Sequence, residues 1–387
     1  LLGRLGSEPL VSVQPRMEIP VLKPGASRVR LRRSGLPAPL HLAGALARYP
    51  YLTHRERLGA VRAALALMRV DPADPNADAV AFGEWLGRHG QGEPAVAALW
   101  DLVALPTLNV PAARASLALA AFVFRTGLLS SADAGDIGFH DATLGQTIGE
   151  PAERALAAAG VEVRLGWRAE RLRRTADGVE VEGFAGDGLS GEVAIVALPH
   201  ARAAALLSET AGELAAKMSR LGSSPIVNLH VVYDRQVCEE PFAAGVGTPV
   251  QYLFDRTLAA GAPAGCQYLA VSLSGAEPEM QMSVDELRAR YEPALRELLP
   301  RARDAKLELF LATREHAATL RASPGAGVLR PGARTDVAGV VLAGAYTDTG
   351  GPATLEGAVQ SGHAAADVAL EQLELSPPAA AIPAGVR

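Results

Sequence analysis

Gly339-Val340-Val341-Leu342-Ala343-Gly344-Ala345-Tyr346-Thr347-Asp348-Thr349-Gly350-Gly351-Pro352-Ala353-Thr354-Leu355-Glu356-Gly357 is the stretch whose reading decides how this chain folds. Val340 to Ala343 form a short, continuous apolar run, as expected of a strand buried on both faces. The run ends in glycine and passes through a polar, glycine-rich loop, Ala345 to Gly351, into a helix expected from about Pro352 to Ala369. A strand end, a loop and a helix N-terminus together make a site for an anion or a carbonyl oxygen. The first helical N–H groups have no partner inside the helix, and its dipole favours negative charge there. Gly357 and Gly362 lie within the helix, where each costs roughly 1 kcal/mol against alanine. They point to a flat ring or another backbone passing close. Taken alone, the pattern equally describes an ordinary βα unit of a parallel sheet.

Upstream, the texture changes near residue 150. Pro151 to Ala159 reads as an alanine-rich helix ended by Gly160, and Val161-Glu162-Val163-Arg164-Leu165 as the strand after it. Ala169 to Thr175 and Val179 to Gly183 flank Asp177-Gly178, a pair that tolerates positive φ and so signals a hairpin. Glu192 to Leu198 reads as a strand buried on both faces that stops at Pro199. Further strands are expected at Ile226 to Tyr233, Gln251 to Phe254, Gln267 to Leu273 and Leu307 to Leu311, with a capped helix opening at Ser283-Val284-Asp285-Glu286. The first block holds two strands, Met17 to Leu22 and Arg28 to Arg32, and is otherwise mainly helical. In it Thr53-His54-Arg55-Glu56 is a capping box, and the helix it opens carries Leu58, Val61, Leu65 and Met68 at the spacing of an apolar face. This order suits a mixed sheet with helices on one side.

Bulk properties narrow the function by exclusion. A hydrophobic fraction of 49% and a charged fraction of 20% over 387 residues describe a globular chain too long for one ordinary core. A net charge of −5 offers no basic field for a phosphate backbone, so nucleic acid is not an expected partner. Cys238 and Cys266 form no CxxC and suit a reducing cytoplasm. The spacing of His and Cys offers no metal site, and no GxSxG nucleophile elbow is present. His140, His230 and His316 are isolated in the sequence. Leu1-Leu2-Gly3-Arg4-Leu5-Gly6 reads as the end of an amphipathic helix rather than a signal peptide, and a reading frame that continues upstream is expected. The most apolar run, Ala115 to Phe124, is well short of the ~20 residues a spanning helix needs. Arg28, Arg30 and Arg32 share one strand face and precede an apolar stretch, Leu36 to Leu46, broken by Pro37 and Pro39. The plainer reading is a solvated strand before a core helix. The other is a basic and apolar patch resting on the inner, anionic face of a membrane.

The stretch from Leu342 to Gly362 resembles the C-terminal flavin-binding segment of the amine oxidase/phytoene desaturase superfamily, in the form found in the hydroxysqualene dehydroxylase family. Leu36-Pro37-Ala38-Pro39-Leu40-His41-Leu42, Phe82 to Gly90, Asn228 to Arg235 and Leu329-Arg330-Pro331 agree with that family, and the resemblance runs from Leu1 to about Leu370. It implies a two-domain α/β fold, mixed α+β in detail, with FAD as cofactor. Residues 1–150 and 201–329 are then the substrate domain, 151–200 and 330–372 the FAD-binding domain, and 373–387 a loose tail. Gly344 and Ala345 would pass the ribityl and phosphate groups. Pro352, Thr354, Leu355 and Gly357 would sit at the helix start, facing the isoalloxazine carbonyl. Ala169 would lie along the adenine end, and Pro199 at a strand end below the cofactor.

Two positions depart from the family. Ala345 stands where an acidic residue is usual and Gly351 where tryptophan is usual, and a lost hydrogen bond to a charged group costs ~1.5–3 kcal/mol. The family's opening strand–GxGxxG–helix is not found in the sequence. The expected fold therefore lacks the N-terminal dinucleotide-binding βαβ unit of ~30 or more residues, and the 387-residue chain by itself is expected to bind FAD poorly or not at all. The resemblance implies hydride delivery from reduced flavin to hydroxysqualene, giving squalene for hopanoid synthesis. The partner is then a long apolar isoprenoid in an apolar channel between the domains. Asp348 and Tyr346 are the candidate catalytic residues for proton transfer, and the plainer alternative is that both hydrogen-bond loop backbone. A carotenoid-type desaturase and a non-catalytic remnant are the other functions the residues leave open.

Overall fold

A computed structural model describes residues 1–375; from residue 376 onward the expected tail lies outside the described residues. The chain divides into two compact units. The first comprises Leu1–Val163 and Ser223–Ala326, the second Arg164–Gly222 and the chain from Gly327.

The first unit is built on a seven-stranded sheet. Its spatial order is Leu307–Leu320, Ser223–Tyr233, Gln267–Ser274, Tyr252–Asp255, Phe242–Gly245, Glu18–Leu22 and Val29–Arg32. Every neighbouring pair is antiparallel except Phe242–Gly245 with Glu18–Leu22, which is parallel. Alternation fixes the buried face: Val227, Leu229, Val231 and Tyr233 point inward along one strand, and Leu269, Val271 and Leu273 along its neighbour. The Val284–Leu298 helix covers them with Leu287, Tyr291, Leu295 and Leu298. Each such side chain contributes about 1.5–3 kcal/mol by burial. That helix opens with the expected capping box, Ser283 Oγ accepting from Glu286 N–H and the Glu286 carboxylate from Ser283 N–H.

The mainly helical block keeps its aromatics inside, as the sequence suggests: Phe82 packs against Trp85, Trp100 and Phe124. One face is the reverse of the expected one. In the His54–Leu67 helix, Leu58, Val61 and Leu65 are exposed, and the buried face is Gly59, Ala60, Ala63 and Leu67. Small residues win because the neighbouring chain comes too close for larger ones; a Cβ on Gly59 would stand 2.5 Å from Gln91 Nε2. The arginines of the Val29–Arg32 edge are also not free charges. Arg28 and Arg30 pair with the buried Glu240, and Arg30 and Arg32 with Glu18. The stretch after them is not one core helix: Leu36 and Leu40 are exposed, and regular helix runs only over Ala43–Arg48.

In the second unit, Ala169–Arg174, Val179–Gly183 and Gly188–Gly191 form an antiparallel sheet, with Gly178 at φ 147° in the expected hairpin. Val340–Leu342 runs parallel to Ala194–Val196. The Leu355–Gln372 helix lays Ala365 and Ala369 on Val341 and Ala343. Three details differ from expectation. Residues Val161 to Leu165 are exposed and form no strand; Val161 N–H donates back to Leu156 O at the end of the preceding helix. The Glu192 to Leu198 strand shrinks to Ala194–Val196, with Ile195 exposed. The unit's first segment runs Arg164–Gly222, where 151–200 was expected. The His200–Leu207 helix packs on the three-stranded sheet, and Thr210 Oγ donates to Leu172 O, which carries the segment past residue 200.

Asn109 ties the first unit's helices to its sheet. It is buried at φ 54°, its amide donating to Ser224 O and Thr319 Oγ1 at 3.0 Å and its carbonyl oxygen accepting from Gly275 N–H at 2.7 Å. Each buried group left unpaired costs about 1–3 kcal/mol. Asn109→Ala is therefore expected to lose about 3 kcal/mol or more in chemical denaturation, and Asn109→Gly, which tolerates the backbone angle, somewhat less. Parent-like stability in the glycine variant would assign the whole role to the backbone angle.

Candidate functional site

The carboxyl ends of the two parallel strands lie side by side, the position where open α/β sheets bind ligands. Ala343 N–H donates to Val196 O, carrying the ladder up to Gly344. Gly344 turns there at φ 131°, and a Cβ on it would stand 2.7 Å from the Tyr346 ring. Glycine is therefore required by both angle and space. The Gly344 N–H donates to Ser361 Oγ at 2.8 Å, and that hydroxyl donates to Ala358 O, pinning the strand end to the second turn of the Leu355–Gln372 helix. Thr354 caps this helix, its Oγ1 accepting from Gly357 N–H. The residue crowding Gly357 is the chain's own Pro352, whose carbonyl would lie 2.9 Å from an added Cβ. Gly362 has open space where close approach was expected.

Arg330 holds the loop between strand and helix. Its guanidinium is buried and donates to the carbonyls of Tyr346 (3.2 Å), Ala345 (3.3 Å), Thr347 and Gly351. A guanidinium has five donors in a rigid plane, so one side chain can organise several carbonyls at once. Wrapping the loop carbonyl-inward turns other groups outward. Asp348 is exposed, its carboxylate accepting from Gly350 N–H at 3.1 Å and its own N–H donating to Pro331 O.

Tyr346 faces the other way. It is buried, its ring centroid is 6.3 Å from that of His200, and its hydroxyl has no hydrogen-bond partner among the described residues. The buried Thr349 Oγ1 is also without a partner. Burial pushes the Tyr346 phenol well above the usual tyrosine range, so it stays protonated at neutral pH. The same cause pulls His200 below the usual histidine value. Pro199 is exposed and caps the helix that His200 begins; Ala169 opens the three-stranded sheet of the same unit. Ala345 is half-buried, Pro352 is buried, and Thr354 and Leu355 are exposed at the helix start. The structure thus gathers Gly344, Ala345, Tyr346, Pro352, Thr354, Leu355 and Gly357 around one strand-loop-helix turn. Sequence reading missed Arg330 as the loop's organiser, though it lies within a stretch singled out for its resemblance, and His200 beside Tyr346, though it follows Pro199 directly.

The first unit contains a separate apolar cavity of about 260 Å³. Met17, Ile19, Leu46, Leu99, Val103 and Leu128 are among its walls, and no charged side chain lines it.

Removing the Arg330 guanidinium leaves at least four carbonyls without their donor. Arg330→Met is expected to cost about 3 kcal/mol or more and to open the 345–351 loop to limited proteolysis. Arg330→Lys, with three donors on a single atom, should fall between the two. Equal protease resistance in all three proteins would remove the loop-organising role. For His200 the folded pKa lies below the unfolded value of about 6.5. The unfolded chain then binds more protons below that pH, so stability is fully present above it and falls as pH drops toward the folded pKa. His200→Gln is expected to flatten the acid side of a denaturation profile taken from about pH 8 to pH 5. His41 and His230 shift in the same direction and retain their share of the slope. An unchanged profile would contradict a buried neutral imidazole at this position.

Two hydroxysqualene dehydroxylases are similar to this chain. That of Sinorhizobium fredii is 30% identical over 274 residues, covering 69% of this chain and 61% of the relative. That of Rhodopseudomonas palustris is 29% identical over 272 residues, covering 69% of this chain and 60% of the relative. The matches therefore span about three-fifths of those relatives' own length. Among solved structures, cyclohexylamine oxidase from Brevibacterium oxydans superposes with a TM-score of 0.68 at 17% identity, covering 96% of this chain and 84% of that one. The family described as flavin containing amine oxidoreductase matches residues 1–370, and this chain belongs to it.

Proposed function

We propose that this chain works in the FAD-dependent reductive dehydroxylation of hydroxysqualene to squalene, a step toward hopanoids. The observation that carries the reading is the pairing of the hydroxysqualene dehydroxylase relatives with an apolar cavity that no charged side chain lines. A triterpenoid chain gains its binding free energy from apolar contact, at ~25 cal/mol per Å² buried, and asks for few polar groups.

The strand-loop-helix turn fits the flavin end of FAD. Gly344 ends the strand and lets the Tyr346 ring pack against it, Thr354 and Leu355 present the helix start, and the unpartnered hydroxyls of Tyr346 and Thr349 are acceptors or donors for a polar ligand. No strand–GxGxxG–helix stands among the described residues to take the pyrophosphate. Reduced flavin, when bound, supplies the hydride. The remaining requirement falls on the chain: the carbon–oxygen bond breaks readily only if the hydroxyl leaves as water, which takes one proton. Of the two candidates, Tyr346 is the better placed, because its hydroxyl is buried behind the strand ends and has no other hydrogen-bond partner among the described residues. The Asp348 carboxylate is exposed and engaged with Gly350.

The test grafts the strand–GxGxxG–helix segment of a hydroxysqualene dehydroxylase ahead of Leu1. The 387-residue chain alone is expected to be nearly colourless. The graft is expected to hold FAD and, reduced without oxygen, to convert hydroxysqualene to squalene; Tyr346→Phe in the graft should lower turnover at least tenfold while leaving flavin bound. Stoichiometric, tightly held FAD in the ungrafted chain would contradict the assignment of the pyrophosphate turn. A yellow graft that ignores hydroxysqualene and desaturates phytoene would replace this substrate with a carotenoid precursor.

A further inference from the structure

The His54–Leu67 helix shows three sectors to its surroundings. Going round it at about 100° per residue, Ala60 and Ala64 line the apolar cavity. Val61 and Leu65 also line it, yet they remain 41% and 47% exposed. Leu58 stands next on the same side, 52% exposed. Leu40, another lining residue, is 57% exposed. Side chains that line a cavity and meet solvent at once mark its mouth. Large apolar residues clustered around an opening signal an interaction surface.

The third sector identifies the partner. Arg55, Arg62 and Arg69 recur every seven residues, so they fall on one side of the helix and its extension, directly beyond Leu58. All three are exposed, and none has an ion-pair partner among the described residues. Glu56, the one carboxylate in the helix, folds back on Thr53. The strand arginines read from sequence as a basic patch are neutralised by Glu18 and Glu240, whereas these three, on the helix that borders the mouth, are not.

An apolar stripe bordered lengthwise by guanidinium groups suits a helix lying in the plane of an anionic bilayer, with leucines at the acyl boundary and arginines at phosphate level. We propose that the mouth of the apolar cavity docks on an anionic lipid surface through Leu58, Val61 and Leu65, anchored by Arg55, Arg62 and Arg69. An apolar substrate then passes from bilayer to cavity without crossing water. A lipid surface suits the opening better than a protein partner, which would plug it. The attachment is superficial, since no helix among the described residues is long and apolar enough to cross a membrane. The identity of what enters rests on the polyprenoid reading above; the docking itself does not.

Vesicle flotation of the 387-residue chain, with neither flavin nor substrate, tests the docking alone. Binding is expected to phosphatidylcholine vesicles holding about one-third phosphatidylglycerol, to be at least tenfold weaker to phosphatidylcholine alone, and to fall as salt rises. Replacing Arg55, Arg62 and Arg69 together by Gln should lower binding about a hundredfold. Replacing Leu58 and Leu65 by Gln should weaken it with the salt dependence retained. Circular dichroism establishes that both variants fold. Binding that ignores lipid charge, or an arginine variant that binds like the parent, would overturn the proposal. So would a dimer that forms in place of lipid binding and is lost with Leu58→Gln. Failure here leaves the dehydroxylase reading intact, and a graft that fails to turn over hydroxysqualene leaves the docking intact.

Discussion

The second unit depends on one buried cation. Arg330 enters the interior and meets main-chain carbonyls of a single loop, which wraps around the guanidinium. Four positions in the loop are thereby fixed relative to one side-chain plane, and the groups on either side inherit their places. Gly344 is held at the strand end, Tyr346 is turned inward, Asp348 is turned outward, and the helix begins at Thr354. Buried charge is costly unless its donors are satisfied, so the loop and the arginine stabilise each other or neither is ordered. The arrangement also accounts for Ala345. Its contribution to the turn is a carbonyl directed at Arg330, which any residue supplies.

The first unit solves a different problem, joining helices to a sheet beside an apolar cavity. Asn109 does the joining with a single buried amide that reaches three partners. Small residues do the spacing. Gly59, Ala60 and Ala63 let the His54–Leu67 helix approach its neighbours, while the larger side chains of the same helix are displaced to the cavity rim. The cavity walls and the exposed rim are thus two results of one packing choice.

Most elements were legible in the sequence because local physics dictates them. The capping boxes at Thr53 and Ser283, the Asp177-Gly178 hairpin and the alternating strands around Val227 and Val271 all form where their residue chemistry requires. The strand-loop-helix turn was legible for the same reason: Gly344 and Thr354 are local solutions to a local turn. Reading failed where the answer depends on a partner distant in sequence. Val161 to Leu165 has strand chemistry but forms no strand. Leu58, Val61 and Leu65 have helical core spacing, but the side that is buried is the one carrying Gly59, Ala60 and Ala63, where the neighbouring chain comes close.

The sequence by itself determined the class of fold, the family and the strand-loop-helix turn, since these rest on glycines, caps and apolar periods that act within a few residues. Tertiary structure alone decided which groups are charged, buried or free. Arg28, Arg30 and Arg32 look like a basic patch until Glu240, from more than two hundred residues away, meets Arg28 and Arg30, and Glu18 meets Arg30 and Arg32. Arg330 looks like any surface arginine until the loop closes over it, and His200 like a helix residue until Tyr346 packs beside it. Hydrogen bonds and ion pairs act over a few ångströms, and only the folded chain sets those distances.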